Sequence, residues 1–250
     1  MAYFDQEPLD VRCEWGMAGV RQISESDVVV IVDVMSFSTT VNIAVSRGAT
    51  VFPYRYKDKA AVRYAREREA TLAGPREVDS RTISLSPASV LQAPENLRLV
   101  LPSPNGAELS FAAIGRNAVV LAGCLRNATA VAARAQACGK RITVVPAGER
   151  WPDGTLRPAL EDLLGAGAII RQLAGRLSPE SAAAAAAFDD AFQELPNRLS
   201  DCSSGRELIE RGFEQDVELA AEFDVIDIVP VLVGEAYVGS ENSKSDCGNP

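Results

Sequence analysis

Residues 29–40 read VVIVDVMSFSTT, an apolar run that ends on Asp33 and passes at once into Ser36, Ser38, Thr39 and Thr40. An aspartate at a strand tip, followed by hydroxyls where a helix starts, suits the binding of a phosphate or a metal–phosphate. A helix opening near Ser38 and Thr39 would aim unpaired amides and its positive dipole end at an anion. Asp33 is placed to hold a magnesium ion. The same residues also suit a plain helix cap, where Asp and Ser are favoured for local reasons. The stretch has no glycine run or GK[ST] of a phosphate loop, and Val34-Met35 rules out the paired DxD of the common aspartyl-phosphate phosphatases.

Further acids lie downstream. Glu161 and Asp162 are adjacent and open an apolar helix after a loop rich in Gly, Pro and Arg. The helix dipole alone favours acids in a first turn, while Gly165 and Gly167 would let this helix approach another backbone closely. In SSGRELIERGFEQDVE, residues 203–218, Ser204 and Glu207 have the spacing of a capping box, Gly212 fits a turn, and Asp216 opens the next segment. Asn105 with Gly106, and Asn127, recur at the exits of successive apolar strands. Asn-Gly is turn chemistry in the first place.

The totals restrict what these groups can do. The chain of 250 residues contains no histidine, which excludes Ser-His-Asp and Cys-His catalysis and His-ligated zinc or haem. Any catalysis must use carboxylates, hydroxyls, thiols, amines or a metal held by oxygen, which points toward Mg²⁺. A net charge of −9 with interspersed signs argues against nucleic acid and anionic membranes as partners. No apolar run approaches the roughly 20 residues of a membrane span. The first residues lack the basic start and apolar core of a secretory signal, so a cytoplasmic location is expected. The five cysteines are scattered singly, which favours reduced thiols over a disulfide framework.

Stepping from these residues to the elements that carry them, strand-like runs appear at 28–33, 50–54, 97–101, 118–121, 141–146 and 225–229. Several are apolar at every position, as strands covered on both faces are. Helical patterns lie at 38–47, 57–70, 106–114, 127–138, 160–177, 179–193 and 205–222. The alternation predicts an α/β fold in three layers, α/β/α, around a largely buried mixed sheet. A single domain over residues 1–238, with room for two lobes, precedes a polar tail at 239–250 that is expected to fray.

Taken in order along the chain, these pieces resemble the 2-phosphosulfolactate phosphatase (ComB) family. The likeness runs through Asp33 with Ser38-Thr39-Thr40, Gly48-Ala49, Ser86-Pro87, Asn105-Gly106, Gly123 to Asn127-Ala128, Ala147-Gly148, Glu161-Asp162 to Ala166-Gly167, and Ser204-Gly205 to Gly212 and Asp216. The resemblance implies a Mg²⁺-dependent phosphatase that converts 2-phosphosulfolactate to sulfolactate and phosphate, a step of the coenzyme M type. For such a reaction Asp33, Glu161 and Asp162 are the candidate catalytic residues, and these with Asp216 the candidate metal ligands. Ser36, Ser38, Thr39, Thr40, Asn105, Gly106 and Asn127 would then meet the phosphate or the substrate, and Arg76 and Arg126 a second anionic group. The small phosphorylated substrate is the expected partner, and a homo-oligomer is compatible. The sequence departs from the family pattern where an arginine is replaced by Ser36, and Gly74-Pro75-Arg76 keeps an arginine but loses an acid. The departures leave an alternative: a family member with weakened or no catalysis that binds a small anionic metabolite.

Overall fold

The computed structural model describes residues 4–22, 25–55, 59–78, 82–114 and 118–240. In chain order the strands are β1 (Val11–Cys13), β2 (Val28–Val32), β3 (Thr50–Tyr54), β4 (Thr71–Leu72), β5 (Arg98–Pro102), β6 (Val119–Gly123), β7 (Ile142–Pro146), β8 (Glu149–Arg150), β9 (Leu156–Arg157), β10 (Val229–Val233) and β11 (Ala236–Ser240). All but β8 and β9, which form their own two-stranded ribbon, join one sheet in the order β1-β7-β2-β6-β10-β11-β3-β5-β4.

The sheet has two parallel blocks, β1-β7-β2-β6 and β3-β5-β4, joined by the β10–β11 hairpin. The hairpin pairs antiparallel with itself, with β6 and with β3, so the two blocks run in opposite senses. Val30 of β2 lies opposite Leu121 on one side and Val144 on the other. Parallel neighbours on both edges and helices on both faces explain why VVVIV is buried at every position.

The helices are α1 (Gly16–Gln22), α2 (Phe37–Ser46), α3 (Lys59–Glu67), α4 (Pro87–Leu91), α5 (Gly106–Ile114), α6 (Ala128–Cys138), α7 (Leu160–Ile170), α8 (Pro179–Ala191), α9 (Leu195–Asp201), α10 (Ser203–Glu210) and α11 (Glu214–Ala221). Val28, Val30 and Val32 face a core shared with Val131, Ile169 and Phe188, while Val29 and Ile31 face Val20, Leu109 and Ala113. The alternation along β2 thus assigns α6, α7 and α8 to one layer and α1 and α5 to the other. In the second block, Val41, Val51 and Leu99 share one core and Phe52, Ala65 and Val100 the opposite one. The expected three-layer α/β/α arrangement is present. Gly167 permits the tight α7–α8 crossing, because a Cβ there would run into the Ala184 carbonyl.

Several boundaries differ from the sequence reading. The helix expected over 205–222 is two, α10 and α11, broken where Gly212 takes φ +83. The strand expected at 225–229 begins only at Val229. The residues before it are tied elsewhere: the amides of Asp224 and Val225 donate to the carbonyls of Leu125 and Arg126. The helix expected to reach 177 stops at Ile170, and the chain then turns so that Leu177 bridges to Val11. Gly239 and Ser240 complete β11 instead of starting a tail, and residues 241–250 lie outside the described residues. Cys13, Cys124 and Cys202 are free and buried, whereas Cys138 is disulfide-bonded. Among the described residues no helix is long and apolar enough to cross a membrane.

Candidate active site

Asp33 follows the last residue of β2 and is buried. Its carboxylate is pinned by two main-chain donors: Phe37 N–H to Oδ1 at 3.1 Å and Gly106 N–H to Oδ2 at 2.9 Å. The first comes from the start of α2 and the second from the start of α5, so this side chain locks two helix entries together. Gly106 has no room for a Cβ, which would overlap the Phe37 ring and approach Asp33 Oδ2.

The hydroxyl cluster turns inward. Ser38 Oγ donates to Ile31 O at 3.1 Å, Thr39 Oγ1 to Val34 O at 2.8 Å, and Thr40 Oγ1 to Leu85 O at 2.9 Å. Ser38 Oγ also accepts from Asp33 N–H at 3.1 Å. All three are wholly buried, and a buried hydroxyl must find its partners within the protein. The structure therefore gives Ser38, Thr39 and Thr40 the work of shaping the Asp33 loop, a correction to the expectation that they face a phosphate. Ser36 differs, since its Oγ accepts from Arg76 Nη2 at 2.8 Å.

Glu161 and Asp162, both buried, open α7, where Ala159 supplies no side-chain cap. Asp162 Oδ1 accepts from Val34 N–H at 2.7 Å and Oδ2 from Gly148 N–H at 2.8 Å. It bridges the loops that leave β2 and β7. Glu161 Oε2 accepts the Cys202 S–H at 3.4 Å, and Cys202 Sγ itself accepts from Gly205 N–H at the head of α10. Burial, with Glu161 nearby, pushes that thiol up to about 12.

A fourth acid joins these three. Glu149, on β8, accepts from Asn105 Nδ2 at 3.0 Å and pairs across the ribbon with Arg157. Arg157 Nη2 in turn donates to Ser204 Oγ at 3.1 Å. Sequence reasoning passed over Glu149 and Arg157. The available signal was position: Glu149 stands three residues beyond the end of β7, as Asp33 stands just beyond β2.

The four carboxylates act on one another. Burial raises Asp33 to about 6; the amides of Phe37 and Gly106 oppose this, Glu161 adds to it, and Arg76 tempers it. Burial, followed by the charge of Asp33, raises Glu149 to about 7, partly offset by the Asn105 hydrogen bond. Asp162 is raised well above the usual carboxylate range by burial and then by Asp33 and Glu161. Desolvation and like charge both disfavour ionisation here.

Three other candidate residues, Asp216, Asn127 and Arg126, make their hydrogen bonds outside this cluster. Asp216 does not join the acids: its Oδ1 accepts from Ser86 Oγ at 2.6 Å and Ala88 N–H at 3.1 Å, and its Oδ2 lies 3.6 Å from Arg76 Nε. Asp216 thus positions Arg76, whose guanidinium also donates to Leu85 O at 2.8 Å. Asn127 is spent on Cys124 N–H and Ile228 O, at 3.0 and 3.3 Å. Arg126 pairs with Glu222 and donates to Leu219 O at 3.3 Å. Both residues secure the crossing of the segment before β10. Burial and the local segment hold them there, which corrects their expected contact with substrate. Asn105 and Gly106 do reach the acids.

Among the described residues, no three of His, Cys, Asp and Glu are close enough to form a preformed metal cage. The donor set is nonetheless all carboxylate oxygen, buried and under mutual repulsion. A hard divalent cation suits it, because Mg²⁺ keeps several waters and needs only one or two protein carboxylates.

A family model described as 2-phosphosulpholactate phosphatase matches residues 18–235. The chain is 30% identical over 213 residues to a protein of Carboxydothermus hydrogenoformans named "Probable 2-phosphosulfolactate phosphatase", covering 83% of this chain and 87% of that one. A protein of the same name from Gloeobacter violaceus is 30% identical over 214 residues, covering 82% and 87%. The "2-phosphosulfolactate phosphatase" of Methanothermobacter thermautotrophicus is 30% identical over 211 residues, covering 82% and 87%.

Proposed function

The chain belongs to the 2-phosphosulfolactate phosphatase family of phosphoric monoester hydrolases, and we propose that it hydrolyses 2-phosphosulfolactate to sulfolactate and phosphate with the help of Mg²⁺. The observation that carries this reading is the hydrogen-bond network that brings the loops bearing Asp33, Glu149 and Asp162, with Glu161 beside it, together in a chain without histidine.

The roles follow from how each acid is held. Asp33 and Glu161 would hold Mg²⁺, which when bound neutralises phosphate charge that the ionised carboxylates of the site would otherwise repel. Asp162 also accepts two amides, from Val34 and Gly148, but its carboxyl is raised well above the usual range, and it ties the two loops together. Phosphoryl transfer needs alignment and charge stabilisation more than covalent chemistry from the protein. Water attacks phosphorus and loses its proton to a carboxylate of the cluster. The ester P–O bond breaks, and the departing alkoxide takes a proton from Glu149. An acid with a pKa of about 7 can both hold that proton and recover it near neutral pH. The two amide donors pinning Asp33 spread its charge, which favours water over Asp33 as nucleophile. Cys124 is unsuited to attack, being sealed beside Asn127 with its thiol pushed up to about 11.

The test is phosphate release from 2-phosphosulfolactate with and without Mg²⁺. Release that needs the metal and is lost in Asp33→Asn supports the reading. Release that Asp33→Asn leaves intact removes it.

A further inference from the structure

Beside Ser36 lies a cavity of about 240 Å³ bounded by Ala73, Gly74, Arg76, Leu85, Pro102 and Arg211. Its walls belong to the active-site neighbourhood. Pro102 ends β5, from which the chain runs to the Gly106 amide on Asp33, and Arg76 donates to Ser36.

Two guanidinium groups line this space, and one aromatic ring fixes both. Arg76 Cζ sits 5.4 Å from the centre of the Phe213 ring, and Arg211 Cζ sits 5.7 Å from the same centre. Arg76 is further held by Ser36 Oγ and Leu85 O through Nη2 and by Asp216 through Nε. Nη1 has no partner among the described residues and is left for the cavity. Arg211 pairs with Glu207 at 3.0 Å, an (i, i+4) contact with both side chains more than half exposed. Such exposed pairs contribute little and are readily exchanged for a better anion. Each guanidinium has a carboxylate beside it, Asp216 for Arg76 and Glu207 for Arg211, and the exposed Glu207 contact is the one an incoming anion can replace.

We propose that Arg76 and Arg211 form a second anion subsite next to the acid cluster, and that it takes the sulfonate group of the substrate. The proposal rests on the phosphatase reading above and adds the residues that select the substrate. The geometry favours a sulfonate over a carboxylate. A single guanidinium can satisfy both oxygens of a carboxylate. Two guanidiniums arriving from different elements match a head group with three oxygens. Arg211 is the specificity-determining residue; Arg76 is anchored in a buried network and sets the subsite's position.

The comparison of 2-phosphosulfolactate with 2-phospholactate isolates the sulfonate, because the two esters otherwise carry the same phosphate and carboxylate. Wild type is expected to prefer the sulfonate-bearing ester in kcat/KM, and Arg211→Ala to reduce that preference at least tenfold, mainly through KM. Arg211 is half-exposed, so the variant leaves the buried Arg76 network in place. A preference equal in wild type and variant overturns the subsite while leaving the phosphatase standing. If wild type releases phosphate from neither ester, the phosphatase reading falls, and calorimetric titration decides the subsite alone. Tighter binding of 3-sulfolactate than of lactate, lost in Arg211→Ala, supports it; equal binding of the two overturns it.

Discussion

Asn105 donates its Nδ2 to Glu149 at 3.0 Å, linking the loop after β5 to the first residue of β8. The donation favours the charged form of Glu149 and so holds down a group that burial and Asp33 push up to about 7. If Glu149 is the proton donor to the leaving group, activity must decline as pH rises through the pKa of Glu149 in the metal-loaded enzyme. Asn105→Leu removes the restraint, so Glu149 stays protonated to higher pH and the alkaline limb of the kcat profile moves upward. A limb that stays in place in the variant would detach Glu149 from the proton transfer. Glu149→Gln should lower kcat by roughly 10²–10⁴, the usual scale for losing a general acid.

The same acids set a pH dependence of stability in the metal-free protein. Glu149 rises to about 7 from an ordinary value of 4.5, and Asp33 to about 6 from 3.8. A carboxyl bound more tightly to its proton in the folded state contributes stability that is full below its unfolded value. That contribution is lost as pH rises through the folded value. Unfolding free energy with chelator present is therefore expected to fall between about pH 4.5 and 7, by about 3 kcal/mol from Glu149 alone. Glu149→Gln should flatten this slope. Asp27 opposes it only at lower pH, since its hydrogen bond with Arg141 holds it below the usual range. Urea melts at pH 5.5 and 7.5 give the sign directly, and a wild type more stable at the higher pH would contradict it.

Divalent metal should reverse that penalty. Mg²⁺ that binds only the folded protein stabilises it by mass action, about 2.7 kcal/mol at a hundred times its Kd. Wild type is expected to melt several degrees higher in excess Mg²⁺ than in chelator, and Asp33→Asn and Glu161→Gln to lose most of the shift together with phosphate release. Asp162→Asn, like Asp33→Asn, should cost stability in the absence of metal, because each aspartate accepts two main-chain amides, but it should keep the metal shift. Differential scanning calorimetry separates the two classes. Equal metal shifts in all three variants would leave the cation unassigned to Asp33 and Glu161.

The parts of the site that could be read from the sequence are those on long, strongly patterned elements. Asp33 was visible because β2 is an unbroken apolar run and the acid marks its end; Glu161-Asp162 was visible because an apolar helix follows. Glu149 was not, because β8 and β9 are two residues each and carry no period to read. The hydroxyls of Ser38, Thr39 and Thr40 were misjudged for another reason. Residue type does not reveal where an O–H points, and Thr40 is satisfied by Leu85, 45 positions away. The role of Asp216 was hidden likewise, since its partners Arg76 and Ser86 come from a different segment. The β10–β11 hairpin, which reverses the sheet between its two blocks, was missed because its first half was assigned four residues too early.

Ser36 provides the sharpest test of the alternative that this chain is a weakened member of its family. The resemblance places an arginine at this position, and the weakened reading expects Ser36→Arg to restore activity. The structure argues for the opposite outcome. Ser36 is 3% exposed, and its Oγ already receives the Arg76 guanidinium at 2.8 Å. A second guanidinium placed there would either displace Arg76 from this position or enter the cavity between Arg76 and Arg211, and in both cases would sit against like charge. The acids that act on the Arg76 guanidinium, Asp216, Asp33 and Glu207, are already engaged by other donors. Overpacking a buried site and introducing a poorly paired charge each cost about 1–3 kcal/mol or more. Ser36→Arg is therefore expected to lower both the melting temperature and kcat/KM for 2-phosphosulfolactate, and Ser36→Ala to change them far less. A rise in phosphate release by Ser36→Arg would instead support the weakened reading.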